Sequence, residues 1–246
     1  MSQRAGSVPR ALHNFFTLPK RPFHQHGLIL TPEHSLDGAG TMFKTAQNLI
    51  FFKVGWIACI LFAAAGMPLL SLLSVAVVAG IHLARVAVPA KEALFLLCAA
   101  GLGLVWESVL AGTGLLQYVG TDGGSWLAPA WIVSMWVLFG TTINYGLSWL
   151  KRHWIYPVVF GLIGGPAAFY AGSKMGAVAF GDTLVAMGVL AAGWAVLLPL
   201  ACLISDAITD SEWFEADGST RGKSAAQKRS ALEPVHITHH QALLHG

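Results

Sequence analysis

One acidic residue, Glu107, lies inside a long apolar segment, in the stretch GLVWESVLAG. A carboxyl group exposed to hydrocarbon is strongly unfavourable, so Glu107 is expected to face other protein groups. Its neighbours at helical spacing, Gly103, Ala111 and Gly114, are small, and such stripes indicate close packing of transmembrane helices. Two roles stay open: a functional contact to a ligand or proton, or a protonated carboxyl group that hydrogen-bonds two helices together.

Two further polar residues are expected at the depth of Glu107. Helical rise places Glu107 about 22 Å beyond Glu92, and Tyr170 about 24 Å beyond Trp154. Ser134, early in another apolar segment, lies at a comparable level. The sequence therefore predicts an outward-facing polar pocket made of Glu107, Tyr170 and Ser134.

A second polar layer is predicted nearer the cytoplasm. Thr141, Asn144 and Ser148 fall at i, i+3 and i+7 and would share one helical face. His82 is expected at a similar depth, and Asn48 and Lys53 enter the same layer. This layer forms either a head-group or substrate pocket or a set of interhelical hydrogen bonds, with Lys53 reaching toward the interface. Its candidate residues are His82, Asn144, Thr141, Lys53, Asn48 and Ser148.

Small residues and a proline interrupt the fifth apolar segment, GLIGGPAAFYAG. Pro166 removes a backbone hydrogen bond, and Gly164 and Gly165 permit local unwinding or close approach of another helix. A helix break at Gly164, Gly165 and Pro166 would be typical of a transporter binding site. Tight helix packing through these glycines is the alternative.

Known catalytic and metal-binding patterns are missing from the sequence. There is no nucleotide-binding loop and no cysteine spacing typical of zinc or disulfides, and His82 and Glu107 are expected at different depths, too far apart to act together. The histidines His236, His239, His240 and His245 cluster near the carboxyl end, but a His cluster in a polar tail is weak evidence for a metal. We therefore predict no catalytic residues, metal, cofactor or nucleic-acid partner, and favour a non-enzymatic role.

The composition places these residues in a membrane protein. Of 246 residues, 55% are hydrophobic and 11% charged, against about 25% charged in soluble domains. Six apolar segments are each long enough to cross a hydrocarbon core of about 30 Å. The predicted fold class is all-α, a polytopic transmembrane helical bundle of about six spans. We place the spans at 46–66, 68–88, 93–116, 128–150, 154–172 and 183–205.

Basic residues predict the orientation of the bundle. With the amino terminus inside, 13 of the 15 lysines and arginines lie on one side, Lys174 lies on the other, and Lys53 lies within a span. Cytoplasmic loops carry the excess of basic residues. Both termini are therefore predicted to be cytoplasmic.

The two ends differ from the middle of the chain. Residues 1–43 mix proline, histidine and basic residues, and we predict a disordered or interfacial amino-terminal extension; a translation start at Met42 is the alternative. Residues 44–205 form the predicted six-helix transmembrane domain. Residues 206–246 are predicted to be a disordered cytoplasmic tail.

Four segments carry a family resemblance. NLIFFKVGWIACIL, WESVLAGTGLLQY, WIVSMWVLFGTTINYGLSWL and GLIGGPAAFYAGSKMGAV resemble an uncharacterised family of small bacterial multi-pass inner-membrane proteins, classed as a domain of unknown function. The resemblance covers roughly residues 42–200. It implies a multi-pass protein of the bacterial inner membrane and favours a role with lipids, because genes of such proteins often lie near those for fatty-acid modification. It implies no activity and no catalytic residue.

Two functions are consistent with these observations. The first is transport or handling of a lipid or small amphiphile, with membrane lipids as partners. The second is a non-catalytic membrane subunit or scaffold for a lipid-modifying partner, working with another membrane protein or as a homo-oligomer. A cavity would discriminate between them, since a continuous polar cleft from water to Glu107 favours transport and a closed bundle favours the subunit.

Overall fold

The architecture is a helical bundle with one small sheet. The computed structural model describes residues 32–121 and 126–211, with side chains from residue 42 onward. The structure is mainly α-helical, which confirms the all-α class. A short two-stranded sheet and one 3-10 helix accompany the α-helices. The elements in chain order are α1 (Pro32–Ala64), α2 (Pro68–Leu83), α3 (Pro89–Gly112), β1 (Leu116–Tyr118), α4 (Ala130–Ile143), the 3-10 helix (Ser148–Arg152), α5 (Ile155–Lys174), β2 (Val178–Phe180) and α6 (Thr183–Thr209).

Prolines define where several helices begin. Pro68 and Pro89 lie in the first turns of α2 and α3, Pro129 immediately precedes α4, and Pro157 lies in the first turn of α5. The missing amide of proline is harmless there, because first-turn amides have no partner within the helix. α3 consequently starts at Pro89, before its predicted start at residue 93.

Four helices are long and apolar enough to cross a membrane: Met42–Ala64 of α1, and α3, α5 and α6. The apolar helices α2 and α4 are shorter, with 16 and 14 residues, or about 24 and 21 Å. Large apolar side chains face outward on several helices, for example Leu97 at 69% and Leu184 at 84% exposure. These surfaces suit hydrocarbon rather than water, and a multi-pass membrane protein is confirmed.

α4 ends at Ile143, although the sequence predicted a span continuing to residue 150. The side chain of Asn48 on α1 replaces the helical hydrogen bonds at this break. Its Nδ2 donates to the Thr141 carbonyl oxygen at 3.0 Å, and its Oδ1 accepts from the Gly146 amide at 3.1 Å. Because the chain turns here, the predicted single face of Thr141, Asn144 and Ser148 does not form.

α5 continues without interruption through Gly164, Gly165 and Pro166, so the helix break predicted there does not occur. The glycines instead allow close packing on α6. A Cβ atom on Gly165 would lie 2.3 Å from Cγ of Trp194, and one on Gly161 would lie 2.2 Å from the Trp194 carbonyl oxygen. The structure therefore agrees with the alternative interpretation of these glycines, in which they permit close packing of another helix.

The bundle has two distinct ends. At one, the sheet end, β1 pairs antiparallel with β2, with Tyr118 opposite Val178, and joins the α3–α4 and α5–α6 connections. At the other, the basic end, Lys91 Nζ donates to the Thr209 carbonyl oxygen at 2.7 Å. The basic end also carries Arg85 of the α2–α3 connection and Lys151 and Arg152 of the 3-10 helix, and Lys91 lies in the first turn of α3. These basic residues lie at one end of the bundle, as their alternation in the sequence predicted.

The described residues up to Thr209 form one compact unit. α1 begins at Pro32, inside the predicted extension 1–43, and α6 continues to Thr209, past the predicted domain end at 205. Residues 1–31 and the tail from residue 212, with its histidine cluster, lie outside the described residues.

Candidate functional site

Glu107 on α3 is fully buried near the sheet end, with 0% exposure. Its Oε1 accepts a hydrogen bond from Trp136 Nε1 at 2.8 Å, and its Oε2 accepts one from the Tyr118 hydroxyl. In the described part of the chain no cation lies within ion-pair distance of this carboxyl group. Glu107 therefore joins α3 to α4 and to β1.

Gly103 allows Trp136 to reach the carboxyl group. A Cβ atom on Gly103, one turn before Glu107, would lie 2.2 Å from Cγ of Trp136. Trp136 also stacks on Trp194 of α6, with ring centres 4.8 Å apart and an interplanar angle of 19°. Gly103, one member of the small-residue stripe beside Glu107, thus makes room for an indole.

Tyr118 enters the site from β1. Burial, followed by the neighbouring Glu107 carboxylate, raises the pKa of the Tyr118 hydroxyl far above its ordinary value, so the phenol stays protonated and acts as a donor. Its ring contacts the edge of Trp131, whose Nε1 donates to the Val119 carbonyl oxygen at 2.9 Å. The sheet end is therefore closed over Glu107 by aromatic side chains.

The structure does not bring Tyr170 and Ser134 to Glu107. Tyr170 is 48% exposed, and Lys174 Nζ lies 5.1 Å from its ring centre. Ser134 Oγ donates to the Trp131 carbonyl oxygen at 2.7 Å. The partners that sequence reasoning missed are Tyr118 and Trp136; for Trp136 a signal existed, since a buried indole N–H needs an acceptor.

A second buried polar group lies at the basic end. His82 Nε2 lies 2.9 Å from Glu92 Oε1, and Asn144 Nδ2 donates to Glu92 Oε2 at 3.0 Å. The rings of Tyr145 and His82 meet edge to face, with centroids 5.0 Å apart. His82 and Asn144, predicted at a similar depth, are thus connected through Glu92, which is 7% exposed and was not among the predicted site residues.

Lys151 extends this group to α6. Its Nζ donates to Asn144 Oδ1 at 2.6 Å, Ser205 Oγ at 2.8 Å and Asp206 Oδ1 at 2.8 Å. Every polar atom named here has a partner, so the arrangement fastens α2, α3, α6 and the 3-10 helix together. We call it the basic-end network; its members are His82, Glu92, Asn144, Lys151, Ser205 and Asp206.

Thr141 and Lys53, also predicted in this layer, are not members of the basic-end network. Thr141 Oγ1 donates to the Leu138 carbonyl oxygen at 2.7 Å, and Lys53 lies over Trp56. Within residues 32–121 and 126–211 no group of three His, Cys, Asp or Glu residues has the arrangement of a metal site.

Replacing Lys151 with methionine is expected to lower the free energy of unfolding by about 1–3 kcal/mol, because three acceptors lose their shared donor. Arg152→Met is the matched control, since Arg152 is exposed in the same 3-10 helix. Both variants are compared by unfolding in detergent micelles. Equal stability of the two would show that the basic-end network contributes nothing to stability.

The bundle contains a cleft of about 550 Å³. Its walls are mainly apolar and aromatic, and α5 contributes Gly164, Ala168 and Gly172, which leave space instead of filling it. Glu107 lines the cleft from α3, and Lys53 is the single cationic residue among the lining residues. Its principal aromatic residues are Phe52, Trp56, Trp131, Trp136, Phe139 and Trp194.

The cleft separates α1 from α5. α1 packs mainly on α2 and α4, whereas α5 packs mainly on α6. Lys53, Phe160 and Ala167 line the cleft and are exposed, and they lie within helices, away from the connecting loops. The cleft therefore opens sideways, toward the hydrocarbon of a surrounding bilayer.

One family model matches the chain. It is described as DUF2878, a protein of unknown function, and it covers residues 45–200. Neither the curated proteins nor the solved structures give a match. The matched range includes the cleft, Glu107 and most of the basic-end network.

Proposed function

We propose that this chain, which belongs to the DUF2878 family of proteins of unknown function, binds a single amphiphilic molecule from the bilayer in the cleft between α1 and α5. The observation that carries the proposal is the combination of apolar walls and a sideways opening. A ligand that already resides among lipids reaches such a site without crossing water. The protein would act as a lipid-handling membrane protein.

The size of the cleft supports one hydrocarbon chain. A volume of about 550 Å³ falls within the range of roughly 300–1,000 Å³ typical of small-molecule sites. The lining runs from Leu49 and Leu147 near the basic end to Ile60 and Val178 at the sheet end. An extended chain lying along the helices would use this length.

The polar groups favour binding over ion-coupled transport. Glu107 is fully buried and both of its oxygens accept hydrogen bonds from the protein. The cleft that reaches Glu107 is apolar, so it gives no polar path from water to this carboxyl group. The presence of the cleft also means that the bundle is not closed. We accordingly assign the cleft to an amphiphile and Glu107 to fastening helices around it.

The membrane placement belongs to the same proposal. All six helices would cross the bilayer, with the shorter α2 and α4 accommodated by local thinning, snorkelling or tilt of their neighbours. The basic end would face the cytoplasm because it carries the lysines and arginines of the connecting loops. The resemblance to bacterial multi-pass proteins supports placement in a bacterial inner membrane.

A second candidate function is that of a non-catalytic membrane subunit for a lipid-modifying partner. The satisfied hydrogen bonds of Glu107 and of the basic-end network favour it, because these polar groups then serve packing alone. In that case the chain would hold or present a lipid to another membrane protein, or to a second copy of itself. Co-purification with a partner from detergent-solubilised membranes would support this function.

Filling the cleft tests the proposed function. A Cβ atom on Gly164 would meet only the Phe160 ring, at 3.5 Å, so Gly164→Leu is expected to fold while placing a side chain in the cleft. We expect photo-crosslinking of a diazirine-bearing single-chain amphiphile to the purified protein to fall by about tenfold, equivalent to about 1.4 kcal/mol of binding free energy. The labelled peptides of the unmodified protein should derive from α1 and α5.

Gly188→Leu is the matched control for this experiment. A Cβ atom on Gly188 in α6 meets nothing within 4 Å, and Gly188 does not line the cleft. Its labelling should equal that of the unmodified protein. Undiminished labelling of a folded Gly164→Leu variant would refute binding in the cleft.

A further inference from the structure

The cleft contains one cationic group, Lys53, that has no acceptor in the described part of the chain. Lys53 Nζ lies 4.8 Å from the centre of the Trp56 ring, and Trp56 also lines the cleft. Among the described residues, Lys53 forms neither a hydrogen bond to an acceptor nor an ion pair. The ammonium group therefore lies over an aromatic wall, and none of the carboxylates that the structure describes pairs with it.

Lys53 is placed well within the membrane-spanning part of α1. About half a turn earlier, the ring of Phe51 contacts the guanidinium group of Arg85, at 5.2 Å, and this contact marks the basic end. Lys53 is two residues further along, about 3 Å deeper by helical rise, and its ammonium group contacts Trp56 on the side away from the basic end. A cation at this place is stabilised by a cation–π contact, but an anion in the cleft would stabilise it further.

A second donor in the cleft wall also lacks an acceptor. The Nε1 atom of Trp194 is buried and has no hydrogen-bond partner within the described ranges. Its ring is fixed between Trp136 and the glycines of α5. Because this atom is closed off from solvent, the exposed ammonium group of Lys53 is the donor that a ligand in the cleft could reach. An unpaired ammonium group in an apolar cleft indicates a ligand that carries an acceptor group.

From these observations, and resting on the proposed function, we infer that the ligand is a long-chain carboxylate whose head group pairs with Lys53 and whose hydrocarbon tail lies along the apolar walls. One lysine balances one negative charge, as a carboxylate carries. A phosphate monoester carries about −1.5 to −2, and a phospholipid brings two chains to a cleft sized for one. Charge complementarity and volume thus both favour a ligand with one chain and one negative charge, of which a long-chain carboxylate is the simplest.

The head group is tested by comparing two ligands with the same chain. The full-length protein, purified in a non-ionic detergent, is titrated with radiolabelled oleate and with oleyl alcohol. Replacing Lys53 with methionine should weaken oleate binding by about tenfold to a hundredfold, the effect of losing one charge-assisted hydrogen bond. Binding of oleyl alcohol should not change.

Lys174→Met is the matched control, because Lys174 also lies over an aromatic ring, that of Tyr170, but outside the cleft. It should bind oleate like the unmodified protein. Equal oleate binding by Lys53→Met and Lys174→Met would overturn the inference, as would tighter binding of lysophosphatidylglycerol or dioleoylphosphatidylglycerol than of oleate.

The Gly164→Leu variant separates the two proposals. If it blocks both oleate and oleyl alcohol while Lys53→Met changes neither, the cleft binds a chain and only the carboxylate assignment fails. If neither ligand binds the unmodified protein, the proposed function fails as well. If the Lys53→Met variant loses binding of oleate but keeps binding of oleyl alcohol, both the proposed function and the carboxylate assignment are supported.

Discussion

Replacing Gly161 with alanine is expected to lower the free energy of unfolding by about 3 kcal/mol, the upper part of the range for overpacking. The added Cβ atom would lie 2.2 Å from the Trp194 carbonyl oxygen and 2.7 Å from its carbonyl carbon. Both are backbone atoms of α6, so no side-chain rotation relieves the clash. Because α5 packs mainly on α6, the two helices would have to separate.

The measurement is reversible unfolding of each variant in detergent micelles. Gly188→Ala serves as the control: it adds the same methyl group to α6 at a place where nothing lies within 4 Å. That change should stabilise the helix by up to about 1 kcal/mol. Equal stability of the two variants would mean that α5 and α6 are not packed as the glycines indicate.

Replacing Glu107 with leucine is expected to lower the free energy of unfolding by about 2–4 kcal/mol, because Tyr118 and Trp136 both lose their buried acceptor. Glutamine should cost less than about 1 kcal/mol, since its carbonyl oxygen can accept from Trp136 and its amide can donate to the Tyr118 oxygen. Glutamine removes the negative charge but keeps hydrogen-bonding groups, whereas leucine removes both. The difference in stability between the two variants therefore measures the contribution of the hydrogen bonds.

The free energy of unfolding of both Glu107 variants is measured by thermal and denaturant unfolding. A glutamine variant as unstable as the leucine variant would show that the negative charge itself is required. A leucine variant as stable as the unmodified protein would show that Glu107 does not fasten α3 to α4 and β1. In either case the role assigned to this carboxyl group would have to change.

The membrane class and most helix starts could be predicted from the sequence, because both depend on local properties. Apolar length is read within one segment, and Pro68 and Pro157 mark first turns without reference to the rest of the chain. The end of α4 was not predictable in this way. Asn48, 98 residues before Gly146, supplies the hydrogen bonds that permit the break. The sequence around residue 143 contains no pattern that would predict these hydrogen bonds.

The candidate site was predictable only in part, for the same reason. Burial of Glu107 follows from its apolar segment, and of its small neighbours Gly103 does pack closely on another helix, against Trp136 of α4. Its partner Tyr118 is brought in by β1, whose position depends on pairing with β2. Glu92 was overlooked because it lies in the first turn of α3, where a carboxylate normally meets water. In the structure it is buried between His82 and Asn144.

The length of α1 has a mechanical consequence. Its 33 residues extend about 50 Å, whereas the hydrocarbon core measures about 30 Å, so several turns project past the bilayer as a rigid rod. The projecting turns precede Met42, where the candidate span begins. The first membrane-spanning helix therefore continues beyond the hydrocarbon without a loop at the boundary.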